Sequence, residues 1–157
     1  MFSTIVVPLD GSETAAQALP VATEMAKRFA SRVHLIQIVD TGSASLALGA
    51  NAAAGALTDP AAITGEVNEQ VALAKAYLTA VADQFAEQGV TADFTIKDGP
   101  PAEDIIAAAA GQGADLIVMC SHGRTGLRRL LHGSVAQDVM RNAPMPVLIV
   151  RAAGTVS

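Results

Sequence analysis

The sequence predicts a single α/β domain over residues 1–157, built on an open, doubly wound, five-stranded parallel sheet with helices on both faces. Three observations lead there. Short β-branched runs alternate with longer segments of helical period, the pattern of successive βαβ units. Two of the runs, TIVVPL at 4–9 and DLIVMC at 115–120, are nearly pure apolar, as strands buried on both faces should be. A chain of 157 residues, 51% hydrophobic and 16% charged, fills one packed core and leaves little room for a second.

The first strand is 4–9, with Pro8 near its end, where no ladder donor is needed. Asp10-Gly11-Ser12 breaks it. A first helix over about 13–29 carries Ala16, Leu19, Ala22, Ala26 and Phe29 at helical spacing, and Pro20 inside it should kink it or delay its regular part. The second strand is 33–39, VHLIQIV. Residues 40–64 are mostly Ala, Gly, Ser and Thr without a sustained period and are too long for an ordinary connection. They read as a flexible surface loop, with a lid over a ligand as the alternative.

The second helix is the clearest element, because Val67, Val71, Ala74, Leu78, Val81 and Phe85 advance by fours and threes and Gly89 supplies a left-handed stop. A third strand follows at 91–97. Gly99-Pro100-Pro101 opens a third helix, with Glu103 and Asp104 at its positive end and Gly111 or Gly113 closing it. The fourth strand is 115–120. Beyond a polar, glycine-punctuated stretch, Ser134 is placed to cap a helix over 135–142, and Pro144-Met145-Pro146 closes that helix. The fifth strand is 147–151, and 152–157 should fray. Ligands of such a sheet sit beyond the carboxyl ends of the strands at the switch point, so the loops after strands one and four carry the functional interest.

Charge and cysteine content exclude several classes. Ten Lys and Arg against 15 Asp and Glu give a net charge of −5, so the surface as a whole should not attract nucleic acid or an acidic membrane face. Only a local basic patch could bind phosphate. The single cysteine, Cys120, cannot form an internal disulfide, and no Cys/His spacing suits structural zinc. No basic segment precedes an apolar core at the N-terminus and no run of about 18 apolar residues follows, so neither secretion nor membrane spanning is expected, and a reducing cytoplasm fits best.

The chemistry concentrates between Cys120 and Ser134. This stretch holds three arginines, two histidines and no acid, with Gly123, Gly126 and Gly133 freeing backbone N–H groups and Ser134 at a helix start. Such a combination describes an anion cradle, because glycine permits close approach and a helix N-terminus adds partial positive charge. The alternative is a long connector whose arginines are merely solvated. His122 and His132 lack a carboxylate close in sequence and read as loop histidines bonded to backbone. Cys120, at a buried strand end, reads as an inert thiol rather than a redox nucleophile. Hydrolase-elbow, Rossmann and P-loop glycine motifs are absent.

These residues resemble the universal stress proteins of the ATP-binding type, whose motif is Gly, two residues, Gly, nine residues, Gly, then Ser or Thr. Gly123, the nine residues 124–132, Gly133 and Ser134 match it, and Cys120 stands in the first glycine position. The likeness runs the whole chain, through IVVPLDGS at 5–12, GPPAE at 99–103, SHGRTG at 121–126 and PMPVLIV at 144–150. With the alternation of elements it implies the strand order 3-2-1-4-5. It also implies a nucleotide site at Pro8, Asp10, Ile38, Cys120, Ser121, Gly123, Arg124, Gly133, Ser134 and Val135. Gly123, Gly133 and Ser134 would take the phosphates, Arg124 would assist, Ile38 would lie against adenine, and Asp10 would face the ribose or a Mg²⁺ ion. A bare carboxylate beside phosphates would repel them, which agrees with that placement, although Asp10 could equally cap the first helix.

The reading that results is an ATP-binding (or ADP- or AMP-binding) stress-response and signalling module with Mg²⁺, at most a slow ATPase, with protein partners that the sequence does not identify. Its rivals are a dimeric interaction scaffold of the same fold without nucleotide, and a genuine ATPase or phosphotransferase. A homodimer through the strand at 147–151 is expected, because VLIV carries no charge, bulge or internal proline to protect a sheet edge.

Overall fold

A computed structural model describes residues 1–39, 60–121 and 134–153, with 60–64 described by backbone alone. The elements run β1 Thr4–Leu9, α1 Glu13–Ala16, α2 Ala18–Phe29, β2 Arg32–Val39, α3 Pro60–Glu87, β3 Ala92–Asp98, α4 Pro101–Gly111, β4 Leu116–Cys120, α5 Ser134–Asn142 and β5 Val147–Val150. The five strands form one sheet in the order β3-β2-β1-β4-β5, and every pairing is parallel. This is the doubly wound arrangement expected from the alternation of elements.

Alternation along the strands divides the core in two. Ile5, Val7, Leu9, Val33, Leu35, Leu116, Val118 and Cys120 face α2 and α3, where Ala18, Ala22, Ala26, Leu78, Val81 and Phe85 cover them. Val6, Ile36, Ile117 and Met119 face the other way, under Ile105, Ala108 and Ala109 of α4 and Ala136 and Val139 of α5. Both sets need apolar side chains, so β1 and β4 read as continuous hydrophobic runs and are buried along their whole length.

The expected first helix is two helices. Continuing α1 through Gln17 would drive the ring of Pro20 into the carbonyl of Ala16; the break puts Pro20 in the first turn of α2, where a missing N–H costs nothing. Ala30 then closes α2 in the left-handed region at φ 53°. Helix α3 begins at Pro60, seven residues before the first apolar residue of its period, so 60–64 are helical rather than part of the connection expected there. Proline at a first-turn position followed by two alanines starts a helix without a periodic apolar face. Gly89 has φ +77° and ends α3 as expected. Helix α5 includes Ser134 as its first described residue, where the sequence suggested the preceding cap position. At the chain's end Ala153 is tied down, its N–H donating to Gln17 Oε1 at 2.7 Å, where fraying was expected. Residues 40–59, 122–133 and 154–157 lie outside the described residues.

Candidate functional site

Strand order reverses at β1, which has β2 on one side and β4 on the other, so the crevice beyond its carboxyl end is the switch point. The turn leaving β1 is built from three residues. Asp10 Oδ1 accepts the Ser12 N–H at 2.9 Å and the Ser12 hydroxyl at 2.5 Å, and Ser12 Oγ accepts the Ala15 N–H at 3.0 Å. The helix cap is therefore Ser12, not Asp10; the aspartate fixes the cap and is half-buried at the mouth of the crevice. Gly11 lies at φ +79°, a conformation that a side chain would strain.

Two residues not singled out by the sequence analysis flank this turn. Gln37 lies between Leu9 on β1 and Ile96 on β3, on the same face of β2 as Leu35, and its Nε2 lies 3.8 Å from where a Cβ of residue 11 would stand. Gln37 is 9% exposed and its Oε1 is buried without a hydrogen-bond partner among the described residues. Tyr77, on α3, packs partly buried against the same core, and its hydroxyl is likewise buried without a partner among those residues. Burial, and then the nearby charge of Asp10, push the Tyr77 phenol above its ordinary value, so it keeps its proton. The signals were present: Gln37 is a polar residue on an inward position of an apolar strand, and Tyr77 is the chain's one tyrosine, next to the apolar stripe of its helix.

The remaining expected positions divide. Pro8 is buried in β1 opposite Ile36, and Ile38, half-buried, packs against the α4–α5 core. Cys120 ends β4 at 7% exposure within the α2–α3 core, and the Ser121 N–H donates to the Val150 carbonyl at 3.0 Å. Ser134 and Val135 are half-buried at the start of α5. Gly123, Arg124 and Gly133, with His122 and His132, lie outside the described residues. The structure thus brings Asp10 together with Gln37 and Tyr77 at the carboxyl end of the sheet.

A half-open groove of about 280 Å³ runs between α2 and α3, lined by Leu19, Pro20, Thr23, Glu24, Gln84, Phe85 and Gln88. Asp10, Gln37 and Tyr77 do not line this groove. Among the described residues no group of three His, Cys, Asp or Glu could hold a metal ion, and no helix is long and apolar enough to cross a membrane.

Comparison with known proteins agrees with this architecture. The model of the universal stress protein family matches residues 1–151. Universal stress protein MJ0531 of Methanocaldococcus jannaschii is 36% identical over 151 residues, covering 96% of this chain and 83% of that protein. The solved structure of MJ0577, from the same organism, superposes with a TM-score of 0.81 at 27% identity, covering 99% of each chain. A universal stress protein of Archaeoglobus fulgidus, solved in complex with dAMP, shares the fold with a TM-score of 0.64 at 23% identity, covering 94% of this chain and 96% of that one. The fold, its strand order and these matches together show that the chain belongs to the universal stress protein family.

Proposed function

We propose that this chain binds an adenine nucleotide in the crevice beyond the carboxyl ends of β1 and β4, and works as a nucleotide-dependent signalling module rather than a turnover enzyme. The observation that carries the reading is the passage from Cys120-Ser121, at the end of β4, through Gly123, nine residues, Gly133 and Ser134 into α5. Glycines that admit close approach, acid-free sequence and a helix N-terminus together suit phosphate. The complex of the A. fulgidus protein with dAMP supports the choice of adenine nucleotide. ATP is the favoured ligand, with ADP or AMP as its relatives.

Mg²⁺ fits as a companion of the triphosphate, because that ion is commonly held by one or two carboxylates together with substrate phosphates. Asp10 is the carboxylate at hand at the end of β1. Hydrolysis is slow or absent in this reading. Calorimetry of the full chain with Mg-ATP should give one site per chain, lost in Gly133→Leu because the new side chain would occupy the phosphate path. Unchanged affinity in a folded Gly133→Leu chain would remove the proposed phosphate placement.

The same reading includes a cytoplasmic homodimer through β5. The two edges of the sheet differ in charge: β3 carries Asp93, Lys97 and Asp98, whereas β5 is VLIV, each residue only half-buried. Isologous pairing of β5 with a second copy would satisfy its free N–H and C=O groups. Sedimentation equilibrium at micromolar concentration should give a dimer, shifted toward monomer or aggregate by Leu148→Pro; a monomeric native chain would contradict this part of the proposal.

A further inference from the structure

Val150 lies in register with Cys120, and its carbonyl accepts the Ser121 N–H at 3.0 Å. The segment that follows β5 therefore leaves the sheet at its carboxyl end, where the Asp10 turn also stands. Ala152 packs against the α2–α3 core, and the Ala153 N–H donates to Gln17 Oε1 at 2.7 Å across 136 positions of sequence. Gln17 is the residue at which α1 stops and α2 starts.

This joint needs support from outside itself. Helix α1 has four residues, too few to hold helical form unaided, and Ala15 is the buried one among them. Pro20 keeps the helix from running on through Gln17, so α2 does not stiffen α1 as a continuous rod would. Hydrogen bonds fix α1 at both ends instead. At its start Asp10 holds Ser12 and Ser12 Oγ accepts the Ala15 N–H; at its end the Gln17 N–H donates to the Thr14 carbonyl at 3.1 Å and the Gln17 side chain is held by Ala153. We propose that the segment after β5 is a latch on the nucleotide site: Ala153 holds Gln17, Gln17 holds the α1–α2 joint, and α1 carries that restraint to the Asp10 turn. Gln17 is then a positioning residue that touches no ligand itself. A turn held in place before the ligand arrives binds it more tightly, because less ordering remains to be done on binding. This rests on the nucleotide reading above and adds a restraint on that site from a distant part of the chain.

The test is calorimetry of the full chain with Mg-ATP at physiological salt, in the native protein, Gln17→Leu, Ala153→Pro, the double variant and Gln17→Glu, with circular dichroism confirming the fold of each. Gln17→Leu removes the acceptor and Ala153→Pro the donor. Each should weaken binding by about fivefold, the scale of one net hydrogen bond, and the double variant by no more than either alone. Gln17→Glu keeps the length and the acceptor and should bind within about twofold of the native chain, its added charge being screened by the salt. In the ligand-free proteins, amide exchange over 10–17 should be faster in both single variants and native-like in Gln17→Glu. Native affinity in both folded single variants, or losses that multiply in the double variant, overturns the latch alone. A Gln17→Glu chain as weak as Gln17→Leu also overturns it, because side-chain shape and not the hydrogen bond then matters. A native chain that does not bind Mg-ATP overturns the nucleotide reading, and the latch with it.

Discussion

At the amino ends of the strands the Asp115 carboxylate accepts the Ser3 and Thr4 N–H groups at 2.7 and 3.0 Å, and Arg32 donates to Thr4 Oγ1 at 3.0 Å and to the Gln112 carbonyl at 2.9 Å. Ser31 Oγ reaches the Phe2 carbonyl beside them. At the carboxyl ends, Gln37 Oε1 and the Tyr77 hydroxyl are buried with no partner among the described residues. Each orphaned group costs about 1–3 kcal/mol, so the sheet is tied at one end and carries a deficit at the other. A fold selected only for stability would fill those positions with apolar side chains. The difference is in keeping with the ligand placement proposed above. His34 is the remaining case: its Nδ1 meets Asp93 Oδ1 at 2.5 Å, but its Nε2 is buried without a partner among the described residues, on the face that Val6 and Ile36 share.

The contrast can be broken most forcefully at its tied end. Asp115→Ala removes the acceptor of two backbone N–H groups, one of them on a buried residue, and should destabilise the chain by about 2 kcal/mol in urea denaturation while nucleotide affinity of the folded protein stays within twofold. At the other end the sign should reverse. Gln37→Leu replaces an amide oxygen that has no partner among the described residues by an apolar group of similar volume and should stabilise the chain by about 1 kcal/mol. A smaller gain is available at the end of α2: Ala30 sits at φ 53°, so Ala30→Gly should add about 0.5–1 kcal/mol, read as a higher thermal midpoint, with binding untouched.

The smallest effect is in the alkaline limb. The Tyr77 value is raised above the ordinary 10.0 by burial and by Asp10, so the folded chain favours the protonated phenol. The resulting stability is fully present below pH 10 and is lost as pH rises through the raised folded-state value. Tyr77→Phe should remove that component, and its urea midpoint should fall less steeply above pH 10 than that of the native chain.

Most of the architecture was legible because it rests on local pattern. The doubly buried β1 and β4 show as unbroken apolar runs, and α3 shows its period from Val67 to Phe85. Pro20 announced a disturbance in the first helix, although only the structure shows that it takes the form of a break at Gln17. The start of α3 was hidden, since an Ala-rich turn behind Pro60 has helical propensity but no amphipathic face to reveal it. Asp10 stood out in the sequence as a candidate for the site or for the cap of the first helix, yet that Ser12 takes the cap depends on which oxygen reaches Ala15. Gln37 and Tyr77 were overlooked because their meaning is three-dimensional: forty residues apart in sequence, they are brought to one turn only by the packing of α3 on the sheet.

Amide hydrogen exchange of the native chain with and without Mg-ATP tests the comparison between the two ends most directly. Nucleotide binding at the carboxyl end predicts new protection in peptides covering 8–12, 36–39 and 134–139, and none in those covering 3–6, 31–33 and 112–116. Protection confined to the amino-end peptides, spread evenly over the sheet, or absent at saturating nucleotide would contradict it.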